Sequence, residues 1–457
     1  MKTPLDPGNA LGPGLTAIRA QFQVPEGFSP EVHEASRRAP AEHFDRTDQP
    51  FVTLDPASST DLDQAFAIAR SGTDLLLHYA IADVAWFVDD GGVIDTEAWA
   101  RGETLYLPDG RAGLYPPVLS EGAASLLPGG PRPAVIFTVR VAPDGAVKLD
   151  GVERAIIRST AKLAYDSVRD GDLPEGFVDL AERIQAAEDR RGAARVDPPE
   201  QEVEDAGDGT YRLVFRPRLL SEDRNAALSL ATNMAVADAL QAHRTGLFRV
   251  MAAPDARAIE RLRVAALSYG LQWSAGVSLA DFERGLDPVD ARQAAFMLAT
   301  RRAGEGASYA PYREGVMPWH WAMAATYAHA TAPLRRLADR YVIRAALAIA
   351  NGQAVPDAVT QAFARLPQVM AHADGRAGQI GRAVIDLAET MMLRGREGES
   401  FAAVITDVDD RGARIQLADL PVIARVAAHG VSPGGRLTVR LRTADPSSRT
   451  VIFDALA

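Results

Sequence analysis

FVTLDPASSTDLDQAF, Phe51 to Phe66, packs two changes of pattern into sixteen residues. Phe51 to Leu54 is apolar and partly β-branched, which predicts a strand ending at Asp55. Pro56 to Thr60 is a polar loop, and from Gln64 the pattern returns to that of a strand. Three carboxylates, Asp55, Asp61 and Asp63, fall at spacings of six and two. Asp61 and Asp63 project to the same side of an extended segment, and the loop can fold back to bring Asp55 beside them. Clustered carboxylates repel one another unless protonated or bridged by a cation. Oxygen ligands without His or Cys select Mg²⁺ or Mn²⁺ over Zn²⁺. Such an ion can hold a phosphodiester and activate water. The same letters also read as a solvated acidic turn capped by Ser58, Ser59 and Thr60, the commoner case for so short a motif.

Outward from this stretch, LLLHYAIADVAWFV (Leu75 to Val88) predicts a largely buried strand. A Gly/Pro-punctuated segment, Leu105 to Pro133, leads to a strand pair over Ala134 to Ser159 with Asp144-Gly145 as its turn. Helical spacing dominates from about Asp223 to Arg396, clearest in RNAALSLATNMAVADALQAHR and ADRYVIRAALAIANG. The tail, residues 397–457, returns to short alternating strands between Asp/Gly turns, as a small OB-type barrel requires. In it Phe401 and Phe453 suit either the core or a platform for bases. Residues 1–45 carry two short helical patterns, near Leu15 to Phe22 and Pro30 to Arg38, broken by Pro25, Gly27 and Pro30. A small helical, helix-turn-helix-like module is expected there, followed by a large mixed α/β body over 46–396.

With 457 residues, two or three domains are expected. Hydrophobic residues make up 47% and charged ones 24%, at a mean hydropathy of −0.08, as in ordinary globular chains. No run is apolar enough to span a bilayer and the N-terminus lacks the apolar core of a secretory signal, so no membrane role and a cytoplasmic location are expected. The absence of cysteine excludes disulfides, thiolate metal sites and a cysteine nucleophile. A net charge of −11 argues mildly against nucleic-acid binding but leaves room for a local basic channel. Its cations are almost all arginine, with lysine only at Lys2, Lys148 and Lys162.

The acidic segment closely resembles the signature of the ribonuclease II and ribonuclease R family, an Asp followed by Asp-x-Asp-Asp. Four further blocks match in order: HYAIADVAWFV (His78 to Val88), the segment Arg101 to Gly129, AKLAYDSV (Ala161 to Val168) and YAHATAPLRRLADRYVIR (Tyr327 to Arg344). The resemblance implies an RNB-type catalytic domain with a C-terminal OB-fold RNA-binding barrel. It also implies processive, metal-dependent 3′-to-5′ hydrolysis of single-stranded RNA to nucleoside 5′-monophosphates, without an obligate protein partner.

By that resemblance Asp55, Asp61 and Asp63 are metal carboxylates, with Asp63 indispensable to catalysis. Arg335 contacts the scissile phosphate with Arg336 beside it, and Tyr106 and Tyr165 hold the RNA 3′ end. The chain departs from the family in four places. Gln64 stands where a fourth Asp is usual, and is expected to offer its amide oxygen to the metal. The stretch Arg190 to Thr210 has no aromatic to pair with Tyr106, and Gly381 replaces a Glu before Arg382. Cold-shock barrels that relatives carry at the front do not fit in 45 residues, so a duplex with a 3′ overhang is a further expected substrate. His78 and His329 lack metal-ligand spacing and are expected to be structural. Two other readings stay open: a catalytically weakened RNA-binding protein that keeps the fold, and a metal phosphoesterase acting on DNA or a small nucleotide.

Overall fold

The computed structural model describes residues 11–36, 43–194, 200–205, 211–216, 218–287, 290–304 and 306–456. Its centre is a seven-stranded mixed sheet in the order Phe44–Asp45, Val147–Ile157, Arg132–Val141, Asp74–Ala82, Gln64–Ser71, Phe51–Asp55, Ser159–Ala164. The four strands from Val147–Ile157 to Gln64–Ser71 pair antiparallel. Phe51–Asp55 pairs antiparallel with Gln64–Ser71 and parallel with Ser159–Ala164. The turn at Asp144-Gly145 forms as expected: Gly145 has φ 73°, and a Cβ there would lie 2.2 Å from the Arg183 carbonyl. Only glycine meets both demands.

Helix Leu220–Ala242 lies against this sheet and buries Leu228, Ala231, Ala235, Val236 and Leu240. Its apolar residues point all round the axis, as in a helix covered on several sides. Leu337–Ala350 packs beside it. A 37-residue helix, Asp357–Leu393, then ties the molecule together. Leu366 and Met370 join the main core, Ile380 and Leu387 a second cluster, and Leu393 the barrel core.

The tail forms a closed barrel of Ser400–Asp409, Gly412–Leu417, Ile423–Val426, Thr450–Leu456 and Arg436–Asp445. Alternate residues Ala403, Ile405, Ala413, Ile415, Val439 and Leu441 fill it. Phe453 is buried there with Phe401 packed edge-on at 6.0 Å, so both belong to the core. The expected α/β body with an OB-type barrel is what the chain forms.

Two expectations need adjustment. The N-terminal helices form at Leu11–Gln21 and Pro30–Ala35, while residues 1–10 and 37–42 of the expected module lie outside the described residues. Leu11, Leu15 and Ile18 share a cluster with Leu105, Leu107, Ile380 and Leu387, whereas Val32 joins the main core. The helices are therefore built into the body rather than around a core of their own. The helical region also holds short strand pairs, Leu247–Val250 with Ser308–Pro311 and Trp319–His320 with Ala325–Thr326.

Candidate active site

Asp55 ends its strand, and the loop Pro56 to Asp63 leads into the next. Buried Ser125 shapes this loop: its hydroxyl accepts the Leu62 N–H at 2.9 Å and donates to the Thr60 carbonyl at 2.8 Å. The Leu62 carbonyl accepts the Leu126 N–H, and the Leu62 side chain is fully buried. Anchoring the apolar residue between them fixes Asp61 and Asp63 on either side of it.

Asp63 is 7% exposed and accepts the Leu334 N–H at 2.7 Å. Burial pushes its carboxyl well above the usual range, against the pull of the Arg335 guanidinium and that N–H. Arg335 Nε stands 3.8 Å from Asp63 Oδ2, with nearly half its side chain in solvent. Asp55 has no side-chain hydrogen bond or ion pair among the described residues. Burial raises its pKa to about 7, countered by Arg335 and reinforced by Asp61. Asp61 is placed differently. Its Oδ1 accepts from Arg111 and its Oδ2 from the Tyr106 hydroxyl at 3.3 Å.

Tyr106 lies on the hairpin Leu105–Leu107 with Gly110–Ala112, the residue 55% exposed. Tyr165 is half-buried, its hydroxyl accepts from Asn225 Nδ2 at 2.8 Å, and its N–H donates to the Asp55 carbonyl. Both tyrosines thus adjoin the carboxylates. Arg336 does not share the exposed position of Arg335. Its guanidinium binds Asp339 through Nε and Nη2 at 2.9 and 2.8 Å. Asp339, fully buried, also accepts the Ala332 N–H and so holds the turn that presents Arg335.

Gln64, expected as a metal ligand, is engaged by the protein's own groups. Its Nε2 donates to the Thr331 carbonyl at 2.7 Å, and its Oε1 accepts from the Tyr79 hydroxyl and from Ser229. With both ends of the amide engaged, it fastens the sheet to the segment carrying Arg335. Gly381 lies on an exposed helix face with open space around it. His78 bonds Thr138 and His329 bonds Tyr309, consistent with structural roles. Spacing did not single out Arg111, Glu121, Ser125, Asn225 or Ser229. Of these only Arg111 had a signal, since a two-residue turn at Pro108-Asp109 sets it opposite Tyr106.

Among the described residues no three His, Asp or Glu side chains already converge as a metal cage. The donors nevertheless suit a hard divalent cation. All are carboxylate oxygens, Asp55 lacks a hydrogen-bond donor, and both Asp55 and Asp63 are driven upward in pKa by burial. A bound cation would reverse that penalty.

The RNB domain model matches residues 44–351, and the model of the RNase II-type exonuclease C-terminal S1 domain matches residues 399–456. The chain belongs to the RNB family. Exoribonuclease 2 of Cronobacter sakazakii is 28% identical over 437 residues, covering 91% of this chain and 66% of that protein. Ribonuclease R 1 of Lactococcus lactis is 25% identical over 443 residues, covering 89% of this chain and 54% of that one. The chain thus spans between about half and two thirds of the length of these curated relatives. Among solved structures, Mycoplasma genitalium RNase R in complex with ribose methylated single-stranded RNA superposes with a TM-score of 0.86 at 20% identity, over 97% of this chain and 77% of that one. This RNB chain therefore shares that fold from its N-terminal helices to the barrel. No helix among the described residues is long and apolar enough to cross a membrane.

Proposed function

We propose that this RNB-family chain is an exoribonuclease that degrades single-stranded RNA from its 3′ end, processively and with Mg²⁺ or Mn²⁺, to nucleoside 5′-monophosphates. The observation that carries the reading is the pairing of exposed Arg335 with buried Asp63, next to Asp55 and Asp61. Arg335 is aimed at solvent yet held over carboxylates, where a phosphodiester needs a fixed cation.

Asp55, Asp61 and Asp63 would hold the metal, which when bound supplies an activated water and screens phosphate charge. The chain's own groups do the rest. Arg335 binds the nonbridging oxygens of the scissile phosphate. Asp339 and Arg336 keep the preceding turn rigid so that Arg335 is positioned before RNA arrives. Tyr106 offers an exposed ring face to a base near the 3′ end, a contact tolerant of sequence. Tyr165, tied to Asn225, borders the same site. The barrel contributes remote, salt-sensitive contacts to longer RNA. The test is RNA with an internal ³²P label: the reading requires labelled nucleoside 5′-monophosphate as the product, and nucleoside 3′-phosphates or internal fragments would refute it.

One observation favours a second reading, a weakened enzyme that mainly binds RNA. Gln64 supplies no charge and is turned into a structural network. Three carboxylates with Arg335 still form a site able to act on phosphate, so turnover remains the leading reading.

A further inference from the structure

Arg111 stands directly across the hairpin from Tyr106, and both side chains end on Asp61. The same guanidinium holds a second carboxylate. Its Nη2 lies 2.8 Å from Glu121 Oε1 and donates to Thr60 Oγ1 at 2.7 Å. The Thr60 hydroxyl in turn donates to Glu121 Oε2 at 3.0 Å. Asp61 is therefore unlike Asp55 and Asp63. Asp55 meets burial without a side-chain partner, and Asp63 with one backbone N–H and a half-exposed guanidinium 3.8 Å away, whereas Asp61 is held in direct contact by a protein cation.

We propose that Arg111 is a positioning residue that competes with the divalent cation for Asp61, so that loading the site shifts Arg111 wholly onto Glu121. The inference rests on the cation site proposed above. A metal ion needs the Asp61 lone pairs that the guanidinium and the Tyr106 hydroxyl occupy, and two cations crowded on one carboxylate repel. Arginine cannot relieve the conflict by losing its proton, so it must move. Glu121 and Thr60 provide the place to which it moves. A cavity of about 330 Å³, bordered by Asp61, Arg111 and Glu121, adjoins the pair, so the guanidinium can swing without displacing backbone. Glu121 is what keeps the displaced guanidinium paired; without it a partly buried charge would be left alone. Removing Arg111 and removing the Glu121 charge must then shift metal affinity in opposite directions.

The experiment is Mn²⁺ binding to the full chain, read from the loss of the free-ion EPR signal, with Asp63→Asn as the control that locates the site. Arg111→Gln is expected to tighten Mn²⁺ binding by about 3- to 10-fold, since the charge set at a site tunes its affinity. Glu121→Gln should weaken it by about 3-fold, because Arg111 then has Asp61 as its one carboxylate. Arg111→Lys, which keeps the charge, should stay near wild type. A general folding defect would weaken binding in all three variants and cannot produce the opposed shifts. Shifts in the same direction for Arg111→Gln and Glu121→Gln, or none, overturn the competition while leaving the cation site standing. Binding by Arg111→Gln where wild type binds nothing would be its strongest support. Failure of every variant to bind would overturn both the competition and the cation site.

Discussion

Arg335 and Asp63 form a half-open pair: the carboxylate is buried at the end of the loop, while the guanidinium 3.8 Å away faces solvent. Burial, not a neighbouring charge, is the main force on Asp63, and it raises the pKa. For a carboxyl with a raised folded pKa, the associated stability is present at low pH and lost as pH rises through that pKa. At neutral pH without added cation, Asp63→Asn should therefore raise the melting temperature by roughly 2–4 °C, the range expected for about 1 kcal/mol. It should also lower hydrolysis by at least ~10²-fold while RNA affinity stays within about threefold. Calorimetry, single-turnover kinetics and filter binding check the three parts. Turnover within a few-fold of wild type would remove Asp63 from the chemistry.

Adjacent arginines should separate cleanly. Arg335→Ala is expected to cut the rate constant by ~10²–10³-fold, as when a group stabilising developing charge is lost, with little change in melting temperature. Arg336→Ala leaves Asp339 buried and without its ion pair, a defect of about 3–5 kcal/mol. Paired denaturation and kinetic measurements distinguish them. If both behave as surface residues, the turn from Thr331 to Asp339 is not what positions Arg335.

Gln64→Asp tests whether the fourth carboxylate of the family signature can simply be restored. Here the substitution removes the donor to the Thr331 carbonyl and shortens the side chain. It should destabilise the chain by about 1–3 kcal/mol, the usual cost of leaving a buried polar partner unsatisfied. No tighter Mn²⁺ binding is expected. Tighter binding without loss of stability would show that position 64 can face the cation.

A pH effect away from the site comes from Glu283. It is 2% exposed, and burial raises its pKa to about 7 against the pull of the neighbouring Thr300 hydroxyl. Stability from this group is full below about pH 4.5 and declines as pH rises toward 7. Glu283→Gln should match wild type near pH 4 and be more stable at pH 8, by roughly 1–3 kcal/mol. Denaturant titrations at the two pH values check it, and equal differences at both would contradict it.

What was legible in the sequence follows from distance along the chain. Asp55, Asp61 and Asp63 share one strand–loop–strand, so their lying near enough to feel one another's charge is legible from spacing, though their role is not. The barrel was legible because its inward residues alternate over ten-residue strands. The hydrogen bonds of Gln64 are not legible, because its partner carbonyl lies 267 residues away and residue type alone cannot say which way an amide turns. Ser125 and Asn225 reach the loop and its strand from 63 and 171 residues away for the same reason. The strands Leu247–Val250 and Ser308–Pro311 are four residues each, too short for an alternating pattern to stand out among helices. That the buried Asp339 captures Arg336 rather than Arg335 is not legible, because adjacent letters carry no information about which of the two it will bind.

The most direct measurement uses a 5′-labelled single-stranded RNA with the purified full chain, with and without Mg²⁺ or Mn²⁺, wild type beside Asp63→Asn. A ladder shortening from the 3′ end, present only with the cation and absent in the variant, is the predicted result. RNA left intact by wild type at every cation concentration, or cut equally well in EDTA, would contradict it.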